Sequence, residues 1–433
     1  MQPSRPPLPP GPYLVVGLAR SGLAAAGMLA RHGEVIGTDL AEPELEDPPF
    51  EIHARTDGVH LLDRVATVVK SPGVPWTAPV IVAASERGLE VTGELELAWR
   101  LLPDNPFVAV TGTNGKTTTV ELLGAIWRAA GMAVEVVGNV GRPVASLVGA
   151  VEPATTVVCE ASSFQLQDTS AFAPEAALLL NVEEDHLDRH GTIEAYTAAK
   201  LRAFASQSTD AVAVAPGIWQ LPGEAERVTF GSPGSDMVVV DDQLRWRGEA
   251  LMPVADLSLR GAHNVENAMG AAAVALALDI PVAAVVEALS TFPGVPHRLE
   301  EVAVRGGVLY VNDSKATNPA SAVRGIEAFP RGVHVILGGS LKGGDFRQLR
   351  APLAGRVRAA YLIGPAAESL AADLAGTAPL MRAQSLEAAV VQASSAARPG
   401  EVVLLSPACA SFDAFKDYEH RGRRFKELVA GLG

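Results

Sequence analysis

The sequence predicts an α/β protein built from three successive segments, and three observations carry that prediction. Short apolar runs alternate with helical patterns along most of the chain. Many of these runs end in polar, glycine-bearing turns, the place where open parallel sheets keep their ligands. The 433 residues are too many for one ordinary domain and suit two or three. The segments are read as residues 1–92, 93–298 and 299–433. The expectation is a Rossmann-like N-terminal domain, a central P-loop ATPase-like domain and a C-terminal Rossmann-like open sheet.

The first segment starts with the run Tyr13 to Val16, the turn Gly17-Leu-Ala-Arg-Ser-Gly22 and a helical pattern from Leu23 to Arg31. A second run, Glu34 to Gly37, ends at Asp39, which makes a βαβ unit. A third, Ala66 to Val69, leads into Lys70-Ser71-Pro72-Gly73. The second segment opens with the run Phe107 to Val110, followed by a helix expected over Thr118 to Ala130. Strands are expected at Thr155 to Cys159, Ala176 to Leu180 and Ala211 to Ala215, then short strands and turns over 227–260 and a long Ala-rich helix from Val265 to Leu278. In the third, strands are expected at Val308 to Val311, Val333 to Leu337, Ala359 to Ile363 and Val402 to Leu405, with a closing amphipathic helix from Phe412 to Leu432.

Composition removes several function classes. Hydrophobic residues make up 48% and charged residues 19%, so sizeable cores are available and global disorder is excluded. There are 35 basic against 49 acidic residues, a net charge of −14, which argues against a nucleic-acid or membrane-surface binder. Two cysteines, Cys159 and Cys409, are too few for a disulfide framework or a structural zinc site. The start of the chain is proline-rich without an apolar signal core, and no run of 18 apolar residues occurs. A reducing, cytoplasmic setting and no membrane insertion are expected.

The strongest local signal is Thr111-Gly112-Thr113-Asn114-Gly115-Lys116-Thr117-Thr118, between a strand and a helix. Its glycines let backbone N–H groups turn toward phosphate oxygens, and the helix N-terminus adds partial positive charge. Lys116 can reach the terminal phosphates of ATP, and Thr117 can place its hydroxyl on Mg²⁺. The full P-loop pattern is not met, because Val110 stands where its first glycine belongs. The first turn is weaker. Gly17, Gly22 and Asp39 fit a dinucleotide fingerprint, but Ala19 breaks it, so the turn either binds a nucleotide or serves packing.

Other polar groups gather at strand ends. Glu160 is placed for a Mg²⁺ ligand or for a helix N-terminal charge. Glu183, Glu184, Asp185, His186 and Asp188 form either a solvated acidic turn or one that turns a ligand or two toward metal. Lys200, in a helical stretch, reads as a surface lysine. Asn264 and Asn267 share one helix face, as caps or as readers of adenine or phosphate. Asp313 and Lys315 leave a strand of the third segment in a polar cluster suited to ribose, metal-bound water, phosphate or carboxylate.

Taken in order, Thr111-Gly-Thr-Asn-Gly-Lys-Thr117, Glu160-x-Ser-Ser-Phe-Gln-Leu166, Asn181-Val-x-x-Asp-His-Leu-Asp188, Gly261-x-His-Asn-x-x-Asn267 and His297-Arg298 resemble the ordered signature of the Mur ligases, nearly end to end. Asn312-Asp-Ser-Lys-Ala-Thr-Asn318 and Leu405-Ser-Pro-Ala-Cys-Ala-Ser411 resemble its D-glutamate-adding branch. The resemblance implies an ATP-dependent amide-bond ligase of peptidoglycan precursor synthesis, and so of cell-wall growth and cell division. ATP would phosphorylate the carboxylate of UDP-N-acetylmuramoyl-L-alanine, and the D-glutamate amine would attack the acyl phosphate. It implies Mg²⁺, two ions, and no nucleic-acid partner; a monomer is expected.

Residue by residue, the resemblance gives Lys116, Glu160, His186 and Lys200 catalytic roles. Gly112, Thr113, Asn114, Gly115, Lys116, Thr117, Thr118, Asn267, Arg298 and Asp313 would bind ATP. Metal would lie on Thr117, Glu160, His186 and Lys200, the last as a carbamate formed with CO₂. Leu18, Asp39, Ser71, Gly73, Asn139, Ser162 and Gln165 would contact the UDP-substrate. Lys315, Thr317, Lys342, Ser411, Phe412 and Tyr418 would line the D-glutamate site, with Tyr418 where the family often has Phe. Ala19 replaces a glycine usual in the first turn, and Ser340-Leu341 stands where Asp-Gly is common.

Three other readings compete. A dehydrogenase built on the first turn would bind NAD and hydrolyse no ATP. A non-catalytic ATP-binding module would lack the loop lysine or the metal acids, and Lys116, Glu160, His186 and Lys200 are all present. A ligase with another amino-acid acceptor would differ in the third segment.

Overall fold

The Tyr-Leu-Val-Val run at residues 13–16 has no polar alternation, and as a central parallel strand it is buried on both faces. The computed structural model describes residues 5–43, 48–259, 261–341 and 345–432. The first sheet holds β1 (Tyr13–Val16), β2 (Val35–Asp39), β3 (Glu51–Ala54), β4 (Thr67–Lys70) and β5 (Glu90–Gly93). Its order is 3-2-1-4-5, parallel throughout.

The second sheet holds β6 (Phe107–Thr111), β7 (Val134–Gly138), β8 (Thr156–Glu160), β9 (Ala176–Leu179), β10 (Val212–Pro216), β11 (Glu226–Phe230), β12 (Met237–Val240), β13 (Gln243–Trp246) and β14 (Glu249–Pro253). Its order is 14-13-12-11-10-9-6-8-7. The strands from β7 to β11 pair in parallel, while β12, β13 and β14 form an antiparallel meander. Three adjacent strands, β8, β6 and β9, therefore deliver their carboxyl ends side by side. Those ends carry Glu160, the Gly112–Lys116 turn and Asn181.

The third sheet holds β15 (Glu300–Arg305), β16 (Val308–Asn312), β17 (Val333–Gly338), β18 (Val357–Ile363), β19 (Leu380–Arg382) and β20 (Val402–Leu405), in the order 15-16-20-17-18-19. All pairs are parallel except β15 with β16. Apolar clusters cover both of its faces.

The chain divides into two compact units, residues 1–257 with 263–292, and residues 258–262 with 293–433. Within the first unit, one apolar core runs from Tyr13 and Leu18 through Leu95 and Trp99 to Phe107 and Phe172, so the first two sheets share it. Trp99 and Phe107 both meet Phe172 edge-on, at 5.7 and 6.2 Å between ring centroids. Cys159 and Cys409 are free, buried thiols. Among the described residues no helix is long and apolar enough to cross a membrane.

The helix expected from Phe412 begins instead at Tyr418. The Asp417 carboxylate accepts the His420 N–H and caps it there, which outweighs the apolar spacing upstream.

Candidate active site

The turn after β6 is shaped by its glycines. Gly115 sits in the left-handed region at φ 84° as the N-cap of the helix Lys116–Ala129. A Cβ there would lie 2.1 Å from Asn267 Oδ1, so the turn and the helix Ala262–Ala277 meet only because this residue is glycine. Asn267 in turn donates to Asn264 Oδ1 at 3.1 Å. The far side of the turn is held by the segment after β9. Thr113 N donates to the Asn181 carbonyl at 3.0 Å. Asn114 donates from its backbone N–H to Asn181 Oδ1 and from its side chain to Glu183, both at 2.9 Å.

Two lysines meet at one atom of this turn. Lys116 Nζ and Lys200 Nζ each donate to the Gly112 carbonyl at 2.8 Å, and Lys116 also donates to Thr113 O at 2.9 Å. Lys200 is not the surface lysine its helical setting suggests; only 2% of it is exposed. Burial, and then the positive charge of Lys116, pull its ammonium down to about 6. Its Nζ lies 4.2 Å from the centre of the Tyr196 ring. Lys200 is thus held toward its neutral, free-amine form.

Glu160, the last residue of β8, ties two sequence-expected groups together. Its Oε2 accepts from Thr117 Oγ1 at 2.8 Å, and its Oε1 accepts from Asn139 Nδ2 at 3.0 Å. A threonine hydroxyl beside a buried carboxylate is an all-oxygen pair of the kind Mg²⁺ favours. Among the described residues no three of His, Cys, Asp and Glu cluster in a way that could hold a metal. One carboxylate and one hydroxyl suit a Mg²⁺ whose other ligands are phosphate and water oxygens.

His186 stands in the left-handed region at φ 52° and opens the short helix Leu187–His190. Its ring packs 5.0 Å from Phe164 and 6.3 Å from Tyr196. Tyr196 thus links His186 to Lys200, and its hydroxyl lies 3.2 Å from Thr113 Oγ1. The sequence reading passed over Tyr196. It stands four residues before Lys200 on one helix, the spacing that shares a face.

In the first sheet Asp39 accepts from the Leu18 N–H at 2.6 Å and from the Ala41 N–H at 2.8 Å. Ser71 Oγ donates to the Gly17 carbonyl at 2.6 Å. A Cβ on Gly22 would fall 1.8 Å from that same carbonyl oxygen, so helix and turn touch through a missing side chain. Leu18, Asp39 and Ser71 therefore form one bonded cluster. Ser162 and Gln165 cap each other in a capping box and are nearly enclosed.

The second unit groups its own candidates. Asp313 follows β16 and is enclosed. Ser406 Oγ, after neighbouring β20, donates to its Oδ2 at 2.7 Å. Burial lifts the Asp313 carboxyl to about 7, against the pull of Ser406 and the charge of Arg298. Arg421, missed from sequence, is fully buried and binds the loops after both strands. It donates to Ser314 Oγ and Ser314 O at 3.0 and 2.9 Å, and to Cys409 O and Ala410 O at 3.1 and 3.2 Å. Ser314 Oγ also donates to Tyr418 O at 2.8 Å. Ser411 is buried, Lys315 half-buried and Phe412 64% exposed. Thr317 follows on the same loop as Lys315, and Lys342 lies outside the described residues.

The sequence also matches known protein families. Residues 110–275 match the Mur ligase middle domain and residues 297–409 the Mur ligase, glutamate ligase domain. The chain belongs to the Mur ligase family, and with it to the ATP-dependent amide-bond-forming ligases. Two of its relatives are the UDP-N-acetylmuramoylalanine–D-glutamate ligases of Acidobacterium capsulatum and Solibacter usitatus. The first is 42% identical, with 96% of this chain and 95% of the relative covered. The second is 41% identical, with 97% of each covered. Among solved structures, the MurF ligase of Thermotoga maritima in complex with ADP superposes with a TM-score of 0.62 at 20% identity, covering 98% of this chain and 96% of that one. The UDP-N-acetylmuramate-alanine ligase MurC of the same organism reaches 0.59 at 19%, covering 97% and 99%. At these identities the likeness is one of fold.

Proposed function

We propose that the protein joins D-glutamate to UDP-N-acetylmuramoyl-L-alanine with cleavage of ATP to ADP and phosphate, as a cytoplasmic monomer with domains at 1–92, 93–298 and 299–433. The convergence of Lys116 and Lys200 on the Gly112 carbonyl, beside the Thr117–Glu160 pair, carries the phosphoryl chemistry. The D-glutamate acceptor is drawn from the names of the relatives.

A carboxylate is a poor electrophile because its leaving group would be oxide or hydroxide. In the first step its oxygen attacks the γ-phosphorus of ATP, the bond to ADP breaks, and an acyl phosphate forms. In the second the neutral D-glutamate amine attacks the acyl carbon, phosphate leaves, and the amine sheds a proton. Both steps need charge neutralisation and alignment more than covalent help from the protein.

Lys116 and the N–H groups of Gly112 to Thr118 would hold the phosphates, and ATP-binding roles would also fall to Asn267, Arg298 and Asp313. Thr117, Glu160, His186 and a carbamate on Lys200 would hold two Mg²⁺ ions, which neutralise phosphate charge when bound. The amine of Lys200, pulled down to about 6, suits that modification. The neutral amine attacks CO₂, loses a proton and becomes an anionic carbamate, so a buried amine is exchanged for a metal ligand. Leu18, Asp39, Ser71, Gly73, Asn139, Ser162 and Gln165 would bind the UDP-substrate. Lys315, Thr317, Lys342, Ser411, Phe412 and Tyr418 would bind D-glutamate.

The test is phosphate release from protein, ATP, Mg²⁺ and UDP-N-acetylmuramoyl-L-alanine, with D-glutamate, L-glutamate, L-lysine or meso-diaminopimelate added singly. Release with D-glutamate alone, and a matching mass gain on the UDP-sugar, is the expected result. Release with another amino acid would overturn the acceptor but keep the ligase. No release with any of them would overturn the reaction.

A further inference from the structure

We infer that Arg189, with Lys70 behind it, is a positioning residue that sets the Ser71–Val74 loop to receive the UDP-sugar donor and ties that loop to the helix that His186 opens. This rests on the donor reading above.

Two cationic side chains take up the carbonyls of the loop. Arg189 donates from Nη2 to Pro72 O at 3.3 Å and from Nη1 to Gly73 O at 3.2 Å. Lys70 Nζ donates to Val74 O at 3.0 Å and to Ser71 O at 3.4 Å. The carbonyls of Ser71, Pro72, Gly73 and Val74 therefore all face positive charge. In a trans peptide the C=O and the next N–H point in opposite directions. With Pro72 O held by Arg189, the Gly73 N–H is turned away from the cation. A methyl built on Gly73 would meet no heavy atom within 4 Å, so there is room beside it for a ligand. An outward amide next to open space suits the anionic or carbonyl oxygens of a UDP-sugar.

Arg189 comes from the second sheet's side of the unit. It lies three residues after His186, at the far end of the turn that His186 begins. Its guanidinium lies over the Phe164 ring at 4.7 Å, and Phe164 also packs on His186 at 5.0 Å and stacks on His190 at 5.1 Å. One planar fork thus engages the donor loop while resting on the ring that supports His186. A lysine would make a single point contact in its place.

The experiment is titration calorimetry of UDP-N-acetylmuramoyl-L-alanine into wild type, Arg189→Ala and Arg189→Lys, together with KM values for donor, ATP and D-glutamate. Arg189 is exposed, so both variants should fold, with unchanged melting temperature. Arg189→Ala is expected to weaken donor binding and raise the donor KM about tenfold, the loss of one charged hydrogen-bond pair. The other two KM values should stay within about twofold of wild type, and Arg189→Lys should recover part of the loss. Unchanged donor affinity in Arg189→Ala, or a parallel rise in all three KM values with a lower melting temperature, would overturn the inference. A wild type that binds no donor would instead overturn the donor reading, and this inference with it.

Discussion

The ammonium of Lys70 lies 2.8 Å from the carboxylate of Asp168, and both side chains are removed from solvent. Lys70 ends β4 and Asp168 follows the helix Ser163–Gln167, so the pair joins the first sheet to the second within one compact unit. Trp76 Nε1 adds a bond to Asp168 at 2.9 Å. Burial pushes Asp168 up to about 6 and pulls Lys70 down, each against the attraction of its partner. Removing one partner strands the other. Lys70→Met and Asp168→Leu are each expected to cost ~3–5 kcal/mol in denaturant unfolding, and the double variant clearly less than their sum. Additive losses would mean that the two groups do not act as a pair.

With the proposed carbamate, the Lys200 amine should set a pH limit on the reaction. Its pKa is lowered to about 6, so the neutral form dominates above that pH and is lost as pH falls through it. Only the neutral amine forms a carbamate. Protein equilibrated with ¹³C-bicarbonate at pH 8 should show a carbamate resonance that fades below pH 6 and is missing from Lys200→Arg. Turnover should follow the same limb. Lys200→Arg keeps a cation that cannot be carbamylated, and a loss of roughly 100-fold in kcat is expected of it. Full activity in Lys200→Arg would remove the carbamate from the mechanism.

Much of this architecture is written in the sequence. Central parallel strands are continuous apolar runs, which is why Tyr13–Val16 and Val402–Leu405 are read to the residue. Edge strands such as Glu51–Ala54 and Leu380–Arg382 were missed, since their exposed, mixed residues carry no such run. The phosphate turn is legible because glycine spacing is local. Burial of a charged residue is not local. Nothing near Lys200 in sequence announces that the Gly112 carbonyl, 88 positions away, accepts its hydrogen bond. Lys70, Arg189 and Arg421 escaped notice for the same reason, as their partners are backbone carbonyls and distant carboxylates.

Glu160 offers a sharper test of the proposed metal site than a deletion would. Glu160→Gln keeps an oxygen for the Thr117 hydroxyl or for Asn139 while removing the charge. The fold should hold, with the melting temperature little changed. Turnover should fall about 100-fold or more at ordinary Mg²⁺. The Mg²⁺ concentration for half-maximal rate should rise, while fluorescent-nucleotide binding without metal stays near wild type. A kcat loss with no shift in Mg²⁺ dependence would assign Glu160 to holding Thr117 and Asn139 alone.

Asp313 should make stability fall with rising pH in the second unit. Its carboxyl stands at about 7 when folded against an ordinary value of 3.8, so the folded chain holds this proton more tightly than the unfolded chain. The resulting stabilisation is complete below the unfolded value and is lost as pH rises to the folded one. Asp313→Asn is neutral at every pH and can still accept from Ser406 Oγ. Relative to the variant, the wild type should therefore lose melting temperature between pH 4 and 7, by about 5 °C or more. If Asp313 serves the nucleotide, the variant should also raise the KM for ATP, since an amide offers ribose hydroxyls or metal-bound water a weaker acceptor than a carboxylate. A pH profile identical in the two proteins would show that Asp313 is ionised throughout this range, with Arg298 compensating its burial.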